Sequence, residues 1–487
     1  MIVWFRQDLR LFDNPALHAA LETHAPIIPL YILDDIAPGR WKMGAASRVW
    51  LHHSLTALDT SLGGGRMVYA QGAATDILPQ LVKQFGARGV FWNRQYEPWA
   101  IARDTAIKET LQKSGLEAKS FNANLLFEPW TITKDDGTPY RVFTPFWRKG
   151  CANRINSSGV NACQNSPSPS QGEGGVGDRR FSLPPTRLAA LGDLPLKGGG
   201  ASTDLSSLSL LPTTPRWDQS MINHWTPGEL GATARFHTFL DHGLRGYKED
   251  RNRPDLENVS RLSPHLHFGE ISVRQIYHTV TNAMAADPSL TKDADHFLSE
   301  LGWREFSNHL LYHNPTLPTE PLQPAFKNFP WRNDDAALER WQRGQTGVPM
   351  VDAGMRELYA TGYMHNRVRM IVGSYLVKNL LLHWTHGEDW FWDTLVDADL
   401  ANNAASWQWI AGCGADAAPY YRIFNPGLQA EKFDPDGVYI KRWVPEAFPP
   451  PPEGGRAGVG VSNYPSPIID HASARDRALA AYGAIKR

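Results

Sequence analysis

Over the first 130 residues, short apolar runs alternate with helix-length stretches, and this alternation constrains the fold more than any other feature of the chain. The runs lie at 2–5, 27–33, 67–70, 89–92 and 118–121, and helical patterns at 16–23, 45–62, 74–85 and 101–114 separate them. Strands apolar along their whole length need cover on both faces, and strands joined by helices run parallel. The predicted N-terminal domain, residues 1–130, is therefore α/β: a doubly wound, Rossmann-like parallel sheet of five strands. Ligands of such sheets sit at the carboxyl ends of the strands, here the loops 6–14, 34–47 and 93–103. FRQDLRLFDNP follows the first strand in place of G-x-G-x-x-G, so a dinucleotide site of the usual kind is not expected.

The composition then changes twice. Residues 131–224 read as an interdomain connection, and within it 157–214 is rich in Ser, Pro and Gly without periodicity. Such a segment cannot bury enough apolar surface to offset its ordering entropy, so a disordered insertion is expected. From 225 to 487 strand signals fade. Helical patterns fall at 232–240, 273–286, 296–311, 336–342, 350–360, 365–382 and 390–396, and a Pro-rich exposed tail precedes a short last helix. This half is predicted to be a mainly α-helical domain.

Forty-nine basic residues face fifty acidic ones, so bulk charge does not drive polyanion binding and any nucleic-acid role needs a local patch. The three cysteines, Cys151, Cys163 and Cys413, have neither disulfide nor metal spacing. No apolar run reaches signal or membrane-span length. A cytoplasmic protein of a reducing compartment is expected, without metal, membrane or obligate protein partner, and monomeric.

The chemistry concentrates in three segments of the helical half. In HWTHGEDWFWDTLVDADLANNAASWQWIAGC, Trp407 and Trp409 stand two residues apart and point about 200° apart on a helix. Asp397, Asp399, Asn402 and Asn403 precede them, a heavier polar load than an exposed face needs. In ELGWREFS, Glu300, Trp303, Arg304 and Ser307 share one helix face, which suits a flat ligand with polar edges and equally suits a surface ion pair beside a half-buried indole. Asn366 and Met370 stand one turn apart with Arg367 and Arg369 between them, a set that suits an anion or a base edge, or else an Arg-rich solvated turn. Tyr247, Arg251 and the Ser260–Pro264 cluster offer hydroxyls and N–H groups to an anion, or a plain helix cap.

Taken together, VWFRQDLRLFDNP, SRLSPHLHFGEIS, ELGWREF, GMRELYATGYMHNRVRM and DADLANNAASWQWIAGCGADAAPYYRIFNP resemble the motifs of the DNA photolyase/cryptochrome family, most closely its bacterial cyclobutane pyrimidine dimer photolyases. The resemblance implies FAD in the helical domain. Tyr247 and Val259, Ser260, Arg261, Leu262 and Ser263 match positions at the diphosphate; Asn366, Arg369, Asp397, Ala398 and Asp399 match those around the isoalloxazine and adenosine. Asn403 matches the residue facing flavin N5. Trp303 and Trp409 match indoles flanking a flipped-out dimer, and Glu300 the carboxyl that hydrogen-bonds it. Arg251, Arg304, Ser307, Asn366, Arg367, Met370 and Gln429 complete the expected contacts to UV-damaged DNA. Trp407, Trp384 and Trp331 match an electron relay from flavin to surface.

The implied activity is light-driven dimer repair by electron transfer from excited reduced FAD, a reaction class in which the target bases leave the duplex. The alternatives are a (6-4) photolyase and a cryptochrome-type photoreceptor without repair. Met370 stands where (6-4) enzymes commonly have His, and Asn403 where many cryptochromes have Asp or Cys. Val259 replaces a frequent Thr and Tyr363 a frequent Trp. Ala100 replaces a Glu that holds folate in some members, which leaves a second antenna chromophore, folate or deazaflavin, unassigned.

Overall fold

The computed structural model describes residues 1–152, 154, 201–417, 421–448 and 464–485. The N-terminal strands β1 (Ile2–Phe5), β2 (Ile28–Leu33), β3 (Val68–Gln71), β4 (Gly89–Asn93) and β5 (Glu117–Phe121) alternate with helices α1 (Pro15–Glu22), α2 (Ala45–Ser61), α3 (Ala74–Phe85) and α4 (Pro98–Lys113). β1 is central and pairs in parallel with β2 and β4. Its four residues are buried, as expected for a strand covered on both faces. Asn14 starts α1 by accepting the Leu17 N–H, with Pro15 pre-set in the first turn.

Two sequence expectations are corrected here. The sheet has six strands in the order β5-β4-β1-β2-β3-β6, because β6 (Ala201–Ser202) adds antiparallel to β3. That strand lies inside the stretch read as a disordered insertion. After it, Leu208 and Leu210 are buried in the same core as Tyr69 and Leu58, so residues 201–214 belong to the α/β layer. Apolar residues thinly spaced among serines give no period, yet two well-placed leucines are enough to anchor a short segment. The rest of that insertion, and Cys163, lie outside the described residues.

The switch in strand order falls between β1 and β4, where a doubly wound sheet opens a crevice. The helical half fills it. Leu9 donates to the Phe268 carbonyl at 3.0 Å, and the buried Arg10 donates to the Gly269 carbonyl at 2.9 Å. Gly269 has φ +64°, and a Cβ there would meet the Gln7 carbonyl oxygen at 2.0 Å, so only glycine allows this approach. Trp50 of α2 donates its indole N–H to Glu270 at 2.9 Å, and Glu270 also pairs with His265.

The helical half is built from α5 (Glu229–His242), α6 (Val273–Ala286), α7 (Thr291–His313), α8 (Pro349–Thr361), α9 (Asn366–Ser374), α10 (Trp384–Thr394), α11 (Leu400–Ala411), α12 (Pro426–Phe433) and α13 (His471–Ile485), with shorter turns between. The helix expected over 390–396 instead runs Trp384–Thr394, capped by the His383 ring accepting from Thr385. The one expected over 365–382 is α9 followed by a π turn, Tyr375–Asn379. Tyr464 donates to the buried Asp352 at 2.5 Å, and the last helix, α13, spans 15 residues. Among the described residues, no helix is long and apolar enough to cross a membrane, and no cluster could hold a metal ion.

Candidate active site

α11 is the pivot of the site. Asp399 caps it, accepting from the Asn402 backbone N–H at 2.8 Å and the Asn402 amide at 2.7 Å, so part of the polar load before the indoles is helix-capping chemistry. Asn403, one residue on, is buried and donates its amide to the Glu388 carbonyl at 3.0 Å. Asp397 pairs with Arg369 at 2.8 Å, and Arg369 also donates to the Met364 carbonyl at 2.7 Å. Burial opposes the Arg369 charge, but Asp397, Tyr363 and Glu357 together outweigh it and hold the guanidinium pKa above its usual value. Ala398 is buried between the two aspartates.

On the other wall, Arg261 takes a left-handed backbone (φ 51°), and its guanidinium lies over Trp225 at 4.4 Å and Tyr363 at 5.0 Å. Arg235 pins the loop by donating to the Ser260 and Val259 carbonyls at 3.0 and 3.2 Å. Leu262 and Tyr247 are buried, and Ser263 is exposed at the start of a five-residue helix. The Arg261 Nε and both amide atoms of Asn258 are buried without partners. Buried polar atoms are rarely left so, and these fit a polar cofactor enclosed by this wall.

The outward side holds the other expected residues. Trp303 on α7 is half-buried, with Phe143 stacked flat on one face at 3.8 Å and 11°. Trp409 on α11 donates its indole N–H to the Asp416 carbonyl at 3.2 Å. Glu300 pairs with Arg251, which also contacts His296 at 3.1 Å. Asn366 is exposed, while Met370 and Gln429 are half-buried. Arg367 is held by Asn252 at 2.6 Å over the Phe433 ring at 4.5 Å.

Three expected DNA contacts have partners within the fold. Arg304 turns inward, donating to the Asn124 carbonyl at 2.6 Å, with Glu305 at 3.7 Å. Ser307 is buried, and its hydroxyl bonds the Trp303 carbonyl of its own helix. Arg251 keeps 13% side-chain exposure and pairs with Glu300. Helix-face spacing groups these residues correctly but cannot say which side of the face is covered by another segment, here residues 123–146.

Trp407 points the other way, into the core. It meets Phe391 at 5.0 Å and Trp341 at 6.3 Å. A Cβ on Gly387 would lie 2.1 Å from its ring, so α10 can seat this indole only with glycine there. Trp384 is buried on the same helix, and His383 bridges toward the half-buried Trp331, with ring separations of 5.4 and 5.2 Å. The sequence reading missed Phe143, Trp341 and Glu388. Glu388 is fully buried with neither carboxylate oxygen bonded, and burial, with Asp389 next, pushes its pKa well up. The repeated aromatics of VFTPF and DWFW were the available signal.

Residues 1–168 match the family described as DNA photolyase, and residues 297–484 the FAD binding domain of DNA photolyase. A deoxyribodipyrimidine photo-lyase of Agrobacterium fabrum is 46% identical, over 100% of this chain and 98% of its own length. The chain belongs to the DNA photolyase family. The photolyase fold is equally clear in space: the crystal structure of a bacterial class III photolyase from Agrobacterium tumefaciens superposes with a TM-score of 0.85 at 44% identity, covering 100% of this chain and 97% of the other. Cryptochrome-1 of Arabidopsis thaliana is 36% identical over 97% of this chain and 69% of its own length, so the photolyase framework is shared with a cryptochrome.

Proposed function

We propose that this photolyase is a deoxyribodipyrimidine photo-lyase that repairs cyclobutane pyrimidine dimers in UV-damaged DNA. The observation that carries the reading is the division of α11, which sends Trp407 into a buried aromatic cluster and Trp409 to the half-buried wall tied to Trp303. Electron supply and lesion binding are thereby assigned to opposite sides of one helix.

FAD bound here supplies, when reduced and excited by light, the electron that splits the dimer. Tyr247, Val259–Ser263 and the partnerless Asn258 would hold its diphosphate region, and Arg369, Asp397, Ala398, Asp399, Asn366 and Asn403 its ring and adenosine. Arg369 keeps a positive charge in the site, and Asn403 offers a neutral amide. Trp303 and Trp409 replace stacking that the bases lose on leaving the duplex, about 1–3 kcal/mol per base. Glu300 exchanges its Arg251 partner for the dimer. Asn366, Arg367, Met370 and Gln429 line the approach. Trp331, Trp384 and Trp407 would carry electrons from an external donor at the surface toward the flavin. The division into an antenna domain (1–130), a connection (131–224) and a FAD and repair domain (225–487) follows the same reading, as do a monomeric state and cytoplasmic location. A second antenna chromophore would sit at the carboxyl ends of the N-terminal strands, where Arg6 pairs with Asp104 and Arg103 with Asp34.

The test is illumination of the reduced protein with oligonucleotides carrying either a cyclobutane dimer or a (6-4) photoproduct. Reversal of the cyclobutane dimer is expected. Preferential reversal of the (6-4) product, or flavin photochemistry without any repair, would overturn the assignment.

A further inference from the structure

Asp416 stands behind both outward-facing indoles. Its carbonyl accepts the Trp409 indole N–H at 3.2 Å, and its carboxylate accepts the backbone N–H of Phe143, 273 positions away, at 3.3 Å. Phe143 lies flat against Trp303 at 3.8 Å and meets Phe306 edge-on at 6.0 Å. One residue thus holds the α11 indole directly and the α7 indole through a single ring. Its backbone is left-handed (φ 54°), a conformation in which Asp and Asn are among the better-tolerated residues with a side chain. The chain just before it is crowded against α11: a Cβ on Gly414 would meet the Trp409 backbone nitrogen at 2.8 Å.

We infer that Asp416 is a positioning residue that sets the relative placement of the Trp303 and Trp409 rings. The inference rests on the reading that these indoles flank the dimer. A cyclobutane dimer is two fused, rigid rings, so both stacking partners must present their planes together. Phe143 covers one face of Trp303 and leaves the other to a base. Without the carboxylate, the Val142–Pro145 arm loses its tie to the loop that seats Trp409, and the two planes are no longer set by one residue.

A plain turn residue at this position would behave differently, because glycine relieves the left-handed backbone. The experiment compares parent, Asp416→Gly, Asp416→Asn and Trp303→Ala proteins, each loaded with flavin. It measures the Kd for a single-stranded oligonucleotide with one cyclobutane thymine dimer, the Kd for its undamaged counterpart, flavin content and flavin photoreduction rate. Asp416→Gly is expected to weaken dimer binding about five- to tenfold, within the range that stacking of one base contributes. Its other three readouts should stay within about twofold of the parent, and Asp416→Asn, which keeps an acceptor and tolerates the backbone, should restore dimer binding. Parent-like dimer binding by Asp416→Gly, while Trp303→Ala binds weakly, reduces Asp416 to a turn residue and leaves the lesion reading intact. Parent-like binding by Trp303→Ala removes the lesion reading and this inference with it. Loss of flavin or photoreduction in Asp416→Gly shows a general structural role, and Asp416→Asn as weak as Asp416→Gly shows that charge, not the acceptor, matters; both overturn the inference.

Discussion

At the scale of single residues, two indoles two positions apart have separate surroundings, and substitution should separate their effects. Trp331 is the half-buried end of the aromatic series that includes His383 and Trp384. Trp331→Phe should slow photoreduction of oxidised flavin at least tenfold, because Phe is far harder to oxidise. Dithionite-reduced enzyme should still repair at close to the parent rate. Trp409→Phe should do the opposite, with photoreduction kept and dimer affinity reduced; flavin absorbance under light with an external donor, beside repair of a dimer oligonucleotide, distinguishes the two. Glu305 makes a different residue-scale case. Burial raises its pKa to about 7, against the pull of Arg304 and of the Leu126 and Phe127 N–H groups that its carboxylate accepts at 3.0 and 3.2 Å. The native state therefore holds a proton that the unfolded chain has released. The stability this gives is full below the ordinary carboxylate range and is lost as pH rises through about 7, on the order of 3 kcal/mol. Glu305→Gln should flatten the change in urea midpoint between pH 5.5 and pH 8; an unaltered pH dependence would place the titrating group elsewhere.

Among the elements, those with a strong period were legible and those set by a neighbour were not. Strands apolar on both faces and helices with a clear apolar stripe were readable to within a few residues. β6 was not, because two residues pairing with an edge strand leave no pattern of their own. The inward turn of Arg304 was hidden for a related reason: its acceptor, the Asn124 carbonyl, is 180 positions away. Motif matching grouped the residues proposed for flavin and lesion binding, whereas Phe143 and Asp416 carry meaning only once the chain has brought them together. The same reasoning gives α10 a prediction. Gly387 has the look of a helix weakness, yet a Cβ there would lie 2.1 Å from the Trp407 ring. Gly387→Ala should destabilise the fold by about 1–3 kcal/mol despite alanine's better helix propensity, and should slow photoreduction by displacing Trp407. A stabilised variant with parent photoreduction would show that the indole can move freely. At α9, Arg367 is the cation to test. Arg367→Ala should lower the slope of log K against log salt by about 1 for both damaged and undamaged DNA, and an unchanged slope would confine Arg367 to its packing on Phe433.

Across the whole molecule, the two halves are joined by buried polar contacts and not by a flexible hinge alone. Arg10 binds the Gly269 carbonyl, Trp50 binds Glu270, and Glu229 accepts the Leu11 and Phe12 N–H groups at 2.8 and 2.9 Å. These contacts hold the halves together independently of the insertion, so its length should matter little to the site. Closure entropy grows only slowly with loop length, and a shorter flexible segment changes it by about a kcal/mol or less. Replacing residues 155–200 with a Gly/Ser linker long enough to join Arg154 to Ala201 should therefore preserve flavin content and repair rate. Extending the replacement through Leu210 is a different operation. It removes the β6 pairing to Tyr69 and Ala70 and takes out Leu208 and Leu210, which are 1% and 4% exposed in the sheet's core. Each lost leucine leaves a cavity costing about 2–5 kcal/mol, and the edge of β3 loses its cover. The longer replacement should lower the thermal midpoint clearly and favour aggregation, with the α/β domain affected first, whereas the shorter one should not. Thermal unfolding and flavin release, recorded on both variants, decide the matter. Equal behaviour of the two would mean that residues 201–210 add nothing to the sheet.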